Sequence, residues 1–113
     1  MNSASAIEGT WELISFESCD VDSGALAHPL GRHPCGILVY ERRRVIAQLF
    51  DPDRPPFASG DRTRGTDDEV RAAFAGSFAY YGTYEVSFSE GRITHHVQGA
   101  SFPNWVGTAL MRP

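Results

Sequence analysis

One histidine in the C-terminal part of the chain combines a reactive side chain with an apolar strand pattern. Along residues 92–99 apolar residues alternate with polar ones, and His95 falls among the apolar set while His96 falls between Thr94 and Gln98. This alternation predicts a strand with His95 on its apolar face. A neutral imidazole near pH 7 can act as a general base or donate to a bound carbonyl. His95 is therefore a candidate catalytic residue, and a hydrogen-bonded core histidine is the alternative.

Tyrosines on neighbouring predicted strands supply the second set of candidates. Tyr80 and Tyr84 share the apolar face of one strand, and Tyr40 lies on the corresponding face of another. A buried phenol needs a hydrogen-bond partner, and in a cavity a ligand can be that partner. We interpret Tyr84 as a second catalytic candidate, with plain wall packing as the alternative. The residues expected to bind a ligand are Tyr40, Phe57, Tyr80, Tyr84, His95, Phe102 and Trp105.

Motifs for the commoner kinds of catalysis are missing from the sequence. It has no glycine-rich phosphate loop, no serine nucleophile elbow and no histidines and carboxylates at metal-ligand spacing. Cys19 and Cys35 are isolated and are expected to be reduced thiols. Hydrolysis, nucleotide chemistry and metal catalysis are therefore disfavoured, and neither a metal nor a cofactor is expected.

The N-terminal half of the chain predicts three strands. Residues 9–18 alternate apolar and polar side chains for most of their length, and residues 19–34 have the composition of a long loop. Residues 36–40 and 44–50 are two β-rich runs that form a hairpin around residues 41–43. Both faces of this hairpin are apolar, so its outer side needs a cover.

The C-terminal half predicts one helix and three more strands. A helix is expected over residues 66–78, because Thr66 and Glu69 form a capping box. Strands over 78–88 and 92–99 are expected to form a hairpin with a two-residue turn at Glu90-Gly91, which places Tyr84 opposite Val97. Residues 105–111 predict the final strand.

Composition places the chain among small globular domains. It has 113 residues, of which 42% are hydrophobic and 21% charged, so we expect one domain over residues 1–113. The net charge of −4 and the lack of a basic face argue against nucleic acid. No segment has the length of a membrane span, and the N-terminus lacks the pattern of a secretory signal. We therefore expect a cytoplasmic protein without a membrane partner.

Six antiparallel strands in a meander, with one short helix, favour an all-β barrel that has room for one ligand. Several stretches carry a likeness to a known family: Gly9-Thr10-Trp11, residues 51–57 (DPDRPPF), residues 78–86 (FAYYGTYEV), residues 94–99 (THHVQG) and residues 101–107 (SFPNWVG). Together they resemble the lipocalin-like domain proteins of bacteria and fungi. The resemblance implies a small stand-alone barrel, often encoded beside genes of secondary metabolism.

The chain departs from that family in two places. The hairpin turn at residues 41–43 lacks the expected Asp-Gly type of sequence, and family members usually continue for two strands beyond the point where this chain stops, at Pro113. The barrel is thus either complete with six strands or short of two. Open edges on its first and last strands would be hazards for aggregation, so we expect a homodimer that covers them.

Three functions are compatible with these features. The leading one is a barrel that binds a small apolar or amphipathic molecule, as a carrier in secondary metabolism. The first alternative is a cofactor-independent cyclase or isomerase, which holds its substrate in a reactive conformation and leaves almost no motif. The second is an interaction module that recruits another protein through an open strand edge.

Overall fold

A computed structural model describes residues 7–112, except for the side chain of Arg112. It contains eight strands, one α-helix and a single turn of 3₁₀-helix at Pro103–Trp105. In chain order these elements are β1 Gly9–Glu12, β2 Ser18–Cys19, β3 Leu26–Ala27, β4 Cys35–Glu41, β5 Arg44–Phe50, α1 Asp67–Ala75, β6 Ser77–Ser87, β7 Arg92–Ala100 and β8 Ala109–Arg112.

Six of the strands form one antiparallel sheet in the order β1-β4-β5-β6-β7-β8. The expected all-β antiparallel meander is therefore confirmed. In the part of the chain that the structure describes the sheet is open, with β1 and β8 as its two edges. The predicted first strand, residues 9–18, ends at Glu12, and β2 pairs with β3 in a separate ribbon inside the segment expected to be a loop.

The core lies on one face of this sheet, which we call the core face. Burial alternates strictly along β5, where Val45, Ala47 and Leu49 are buried and the residues between them are exposed. The opposite, outer face carries Val39 and Ile46. This division is the one that the sequence predicts, because side chains alternate along a strand with a period of two.

The turn of the first hairpin consists of two residues in the left-handed region. Glu41 pairs with Arg44, and Arg42 and Arg43 between them have φ angles of 50° and 66°. Positive φ at both central positions is the mark of a type I′ turn, whose twist matches that of the flanking strands. Two arginines thus occupy positions for which asparagine and glycine are better suited.

The second hairpin has a different register from the predicted one. Tyr84 pairs with His95 instead of Val97, because Ser87 pairs with Arg92 and leaves a loop of four residues, 88–91. Between Gly82 and Ser87 the slip is an even number of residues, so the side chains of this part of the hairpin stay on their predicted faces.

A bulge interrupts this hairpin between Tyr81 and Gly82, which pair with Gly99 and Val97 and leave Gln98 as an extra residue. A β-carbon at Gly82 would lie 1.8 Å from the carbonyl oxygen of His96. A glycine is therefore required at the bulge.

The final strand is shorter than predicted. Residues 103–105 form the 3₁₀ turn. The chain then returns to β7 through two backbone hydrogen bonds, from Gly107 N to Val97 O and from Val97 N to Thr108 O. Only residues 109–112 form β8. Both edges of the sheet are thus four residues long.

The helix has the predicted start and an earlier end. Thr66 accepts a hydrogen bond from the backbone of Glu69, and the Glu69 carboxylate accepts one from the backbone of Thr66. The helix ends at Ala75, and Gly76 donates to Ala72 O. Val70 and Phe74 on one helix face remain 49% and 51% exposed.

The chain is expanded for its size. Its radius of gyration is 16.0 Å, whereas a compact chain of this length has one of about 13 Å. No helix among residues 7–112 has both the length and the apolar character needed to cross a membrane.

Candidate functional site

A buried histidine held by two tyrosine hydroxyls is the centre of the core face. The Tyr40 hydroxyl lies 2.6 Å from His95 Nε2, and the Tyr80 hydroxyl lies 2.7 Å from His95 Nδ1. The His95 side chain is fully buried, and both tyrosines are at most 5% exposed. The strands thus bring together three of the residues that the sequence singled out.

The hydrogen-bonding inventory of imidazole limits what this group can do. A neutral imidazole has one N–H donor and one acceptor nitrogen, whereas a phenol can both donate and accept. One tyrosine therefore donates to His95, and the other accepts from it. The other tautomer of His95 would reverse the two roles. A proton can therefore cross the group with no charge left behind only when one tyrosine receives a proton from a further group and the other tyrosine gives one up.

The contact between Tyr40 and His95 also shows that the sheet is curved. Two strands, β5 and β6, separate β4 from β7, so in a flat sheet these strands would lie about 14 Å apart. Side chains that stand upright on a flat sheet could not meet over that distance. The core face is therefore concave.

Tyr84 borders this group. Its ring meets the Tyr40 ring edge-on, with 4.9 Å between the ring centroids. Burial raises the pKa of the Tyr84 phenol above its ordinary value of 10.0, and the Glu8 carboxylate adds to this rise while Arg43 opposes it. The Tyr84 hydroxyl therefore stays protonated at neutral pH and can serve as a hydrogen-bond donor.

Aromatic rings continue from Tyr80 toward the helix. Trp105 contacts Tyr80 edge-on at 5.9 Å and stacks on Phe78 at 5.5 Å. Phe102 meets the Trp105 ring at 5.5 Å and the Phe74 ring at 6.5 Å. Two of the expected ligand-binding residues, Phe102 and Trp105, are thus joined to the tyrosine and histidine group through Tyr80.

The remaining candidate, Phe57, lies in the loop between β5 and α1. Its ring covers Gly65, where a β-carbon would lie 2.6 Å from the ring. Arg54 in the same loop donates to the carbonyl oxygens of Asp51 and Ala73, and so ties this loop to the last turn of the helix.

A hollow of about 180 Å³ opens between β1 and the neighbouring part of the core face. Trp11 pairs with Leu38 in the sheet, and both residues line this hollow together with Leu49 on β5. Its other lining residues are Glu12, Leu13, Ile14 and Ser15. We call it the Trp11 hollow.

The Trp11 hollow was not predicted from the sequence. Trp11, Leu13 and Leu38 occupy the positions of their strands that alternate toward the core face, and this pattern could have indicated them. The hollow lies, however, at the end of β1, which stops at Glu12, whereas the strand was predicted to run to residue 18.

His96 lies on the polar side of β7, as predicted, with Nε2 3.6 Å from the Glu85 carboxylate. Among residues 7–112 no three side chains of histidine, cysteine, aspartate or glutamate are grouped so that they could hold a metal ion.

Comparisons with known proteins place this geometry in context. The family model of the lipocalin-like domain matches residues 8–113. A relative from Aspergillus oryzae, the 4'-hydroxy-3'-methoxypropiophenone carrier protein ppsC, is 33% identical over 74 residues, which cover 60% of this chain and 67% of the relative. No solved structure matches the chain.

Proposed function

Since the chain belongs to the lipocalin-like domain family, we propose that it binds a small, largely apolar molecule on its concave core face, as a carrier in secondary metabolism. The observation that carries this proposal is the Trp11 hollow. It is lined mainly by apolar side chains and lies on the face that also holds the tyrosine and histidine group.

The size of the hollow limits the ligand. Its volume is about 180 Å³, and apolar cavities of about 150 Å³ are large enough to bind benzene. A molecule with one aromatic ring and short substituents fits this volume, whereas a long acyl chain or a fused polycyclic compound would extend out of the open hollow into solvent. The name of the related carrier agrees with this class, because a methoxypropiophenone is a single-ring aryl ketone.

Tryptophan fluorescence tests the proposal, because one of the two tryptophans lines the hollow. The probe is 4'-hydroxy-3'-methoxypropiophenone, added to the variant Trp105→Phe, in which Trp11 is the remaining reporter. We expect saturable quenching of Trp11, and a smaller change in the matched variant Trp11→Phe. Quenching that stays linear in probe concentration in both variants would contradict binding in the hollow.

A cyclase or isomerase is the second candidate, and the Tyr40–His95–Tyr80 group favours it. Such an enzyme would need a group that takes a proton from the substrate and returns one to it in a dry site. A substrate that gives a proton to one tyrosine and receives one from the other would switch His95 between its tautomers and leave the group neutral. Protein purified from its own host, analysed by native mass spectrometry and then supplied with the retained compound, separates the two functions. A carrier releases that compound unchanged, whereas an enzyme releases an isomer that His95→Ala and Tyr84→Phe form more slowly.

We also propose that the chain forms a homodimer. Several large apolar side chains are at least one third exposed, among them Ile46, Val70 and Phe74, and both edges of the sheet have no strand beside them within residues 7–112. Light scattering at micromolar concentration should give a mass near twice 12.4 kDa. A mass near 12.4 kDa at all concentrations would contradict the dimer.

A cytoplasmic location belongs to the same proposal. Cys19 and Cys35 are free and exposed thiols, which suits a reducing compartment. Fractionation of host cells should recover the protein in the cytoplasmic fraction, and recovery outside the cytoplasm would contradict this location.

A further inference from the structure

The outer face of the main sheet carries an apolar row that nothing in the described chain covers. Val39, Ile46, Tyr81 and Gly99 are paired in succession across β4, β5, β6 and β7. Ile46 is 42% exposed and Tyr81 is 50% exposed. A row of four strands spans about 14 Å, so a substantial apolar strip remains in contact with water.

Two hollows lie along this row and meet at Ile46. The larger, of about 370 Å³, is floored by small residues, including Ala79 and Gly99, beside Tyr81. The smaller, of about 280 Å³, is lined by Val39 and Ile46 together with the charged residues Glu41, Arg42 and Arg44. The outer face is thus mainly apolar around the larger hollow and charged around the smaller one.

One face of helix α1 has the complementary arrangement. Val70 and Phe74 lie one turn apart and are each about half exposed. Asp67 lies on the same face because it precedes Val70 by three residues, and Arg71 lies at its border. The helix has nine residues and is therefore about 13 Å long, close to the span of the row.

We propose that helix α1 of a second copy of this chain docks on the outer face. Phe74 enters the larger hollow, Val70 contacts Ile46, and the charged end of the helix reaches the smaller hollow. There Asp67 faces Arg44 and Arg71 faces Glu41. Within residues 7–112 none of these four charged side chains takes part in an ion pair, so all four are available to the second copy.

The helix cannot cover the outer face of its own chain while it keeps its observed position. Its C-terminal end is tied to the end of β5 by a hydrogen bond from Asp51 N to Gly76 O, and the ring of Phe74 meets that of Phe102, which lies outside the row. Reciprocal docking in a two-fold dimer buries two such pairs of surfaces at once. This inference rests on the proposed homodimer and names the surface that it uses.

A charge-swap experiment, read by analytical ultracentrifugation, tests the docking. Asp67→Arg and Arg44→Asp should each raise the dimer dissociation constant about tenfold or more, because each places like charges together. The double variant should return to within about threefold of the original value. The matched controls are Asp68→Arg, at the same helix end but on another face, and Arg43→Asp in the adjacent turn. Both controls should leave the dimer dissociation constant within about twofold of its original value.

The outcomes separate this surface from the alternatives. Met111→Lys places a charge on the edge strand β8, a device that blocks edge pairing, and it should not affect a dimer held by the outer face. If Met111→Lys breaks the dimer and the charge-swap variants leave its dissociation constant unchanged, the docking proposal is wrong and the homodimer proposal stands. A monomer at all concentrations would overturn both proposals, and circular dichroism would confirm that each variant is folded.

Discussion

The hydroxyl of Tyr40 and Nε2 of His95 are 2.6 Å apart although their strands are separated by two others in the sheet. This hydrogen bond joins distant parts of the curved sheet. It also satisfies a nitrogen that is fully buried. It therefore belongs both to the candidate site and to the stability of the core.

Tyr40→Phe should accordingly destabilise the fold. The substitution keeps the ring and removes the hydroxyl, which leaves one nitrogen of buried His95 without that partner and should cost about 1–3 kcal/mol in the free energy of unfolding. Urea denaturation measures this change. The control is Tyr81→Phe, on the half-exposed outer face, which should change stability by less than about 0.5 kcal/mol. A Tyr40→Phe protein as stable as the original would show that the Tyr40 hydroxyl adds nothing to the core.

The raised pKa of Tyr84 predicts a loss of stability at alkaline pH. The folded protein holds the phenolic proton more tightly than the unfolded chain, chiefly because of burial. The resulting stabilisation is present below the unfolded value of 10.0 and is lost as the pH rises through the higher folded value. The free energy of unfolding, measured from pH 8 to pH 12, should depend less on pH in Tyr84→Phe than in the original protein.

Glu8→Gln should lower the pKa of Tyr84, because the Glu8 carboxylate contributes to the rise. Tyrosinate absorbance follows this pKa, and a higher pKa in Glu8→Gln would contradict the electrostatic contribution.

The faces of the sheet could be predicted from the sequence, because alternation has a period of two whatever the length of the turns. The register of the second hairpin could not be predicted. Residues 88–91 include Glu90-Gly91, which favours a two-residue turn, while the structure uses all four residues as the loop. The group of Tyr40, Tyr80, Tyr84 and His95 was nevertheless found, since a slip of two residues keeps each side chain on its face.

Features that depend on where the chain leaves the sheet were missed. The Trp11 hollow lies where β1 ends at Glu12, inside the predicted strand over residues 9–18. The alternation changes phase at this point, because Leu13 and Ile14 are consecutive apolar residues. The last strand begins later than its apolar pattern indicated because Trp105 belongs to a 3₁₀ turn and Thr108 bonds to Val97. At the last strand tertiary hydrogen bonds thus override a local pattern.

Two glycines should respond very differently to substitution by alanine. At Gly82 a β-carbon would collide with the backbone of His96, so Gly82→Ala should open the bulge and cost at least about 3 kcal/mol. At Gly91 the surroundings are open and φ is 66°, so Gly91→Ala should cost only the strain of a left-handed residue, about 1 kcal/mol. Thermal unfolding measures both. A Gly82→Ala protein as stable as Gly91→Ala would show that β6 and β7 can separate locally at little cost.

Filling the Trp11 hollow should abolish ligand binding without unfolding the protein. Ser15 lines this hollow and is exposed, so the ring introduced by Ser15→Phe can occupy the space without replacing a core side chain. We expect the affinity for 4'-hydroxy-3'-methoxypropiophenone to fall about tenfold or more, a loss of about 1.4 kcal/mol or more in binding free energy. Titration calorimetry measures the affinity directly.

The matched control is Ser87→Phe, which places the same ring in a different hollow. That hollow has about 190 Å³ and is lined by Ile7, Val86 and Ile93 among others, so it resembles the Trp11 hollow in size and apolar character. Ser87→Phe should leave the affinity within about twofold of the original, since the ring then lies away from Trp11. Loss of binding in Ser87→Phe, with binding retained in Ser15→Phe, would move the ligand from the Trp11 hollow to the opposite end of the sheet, beside Tyr84 and Ile93.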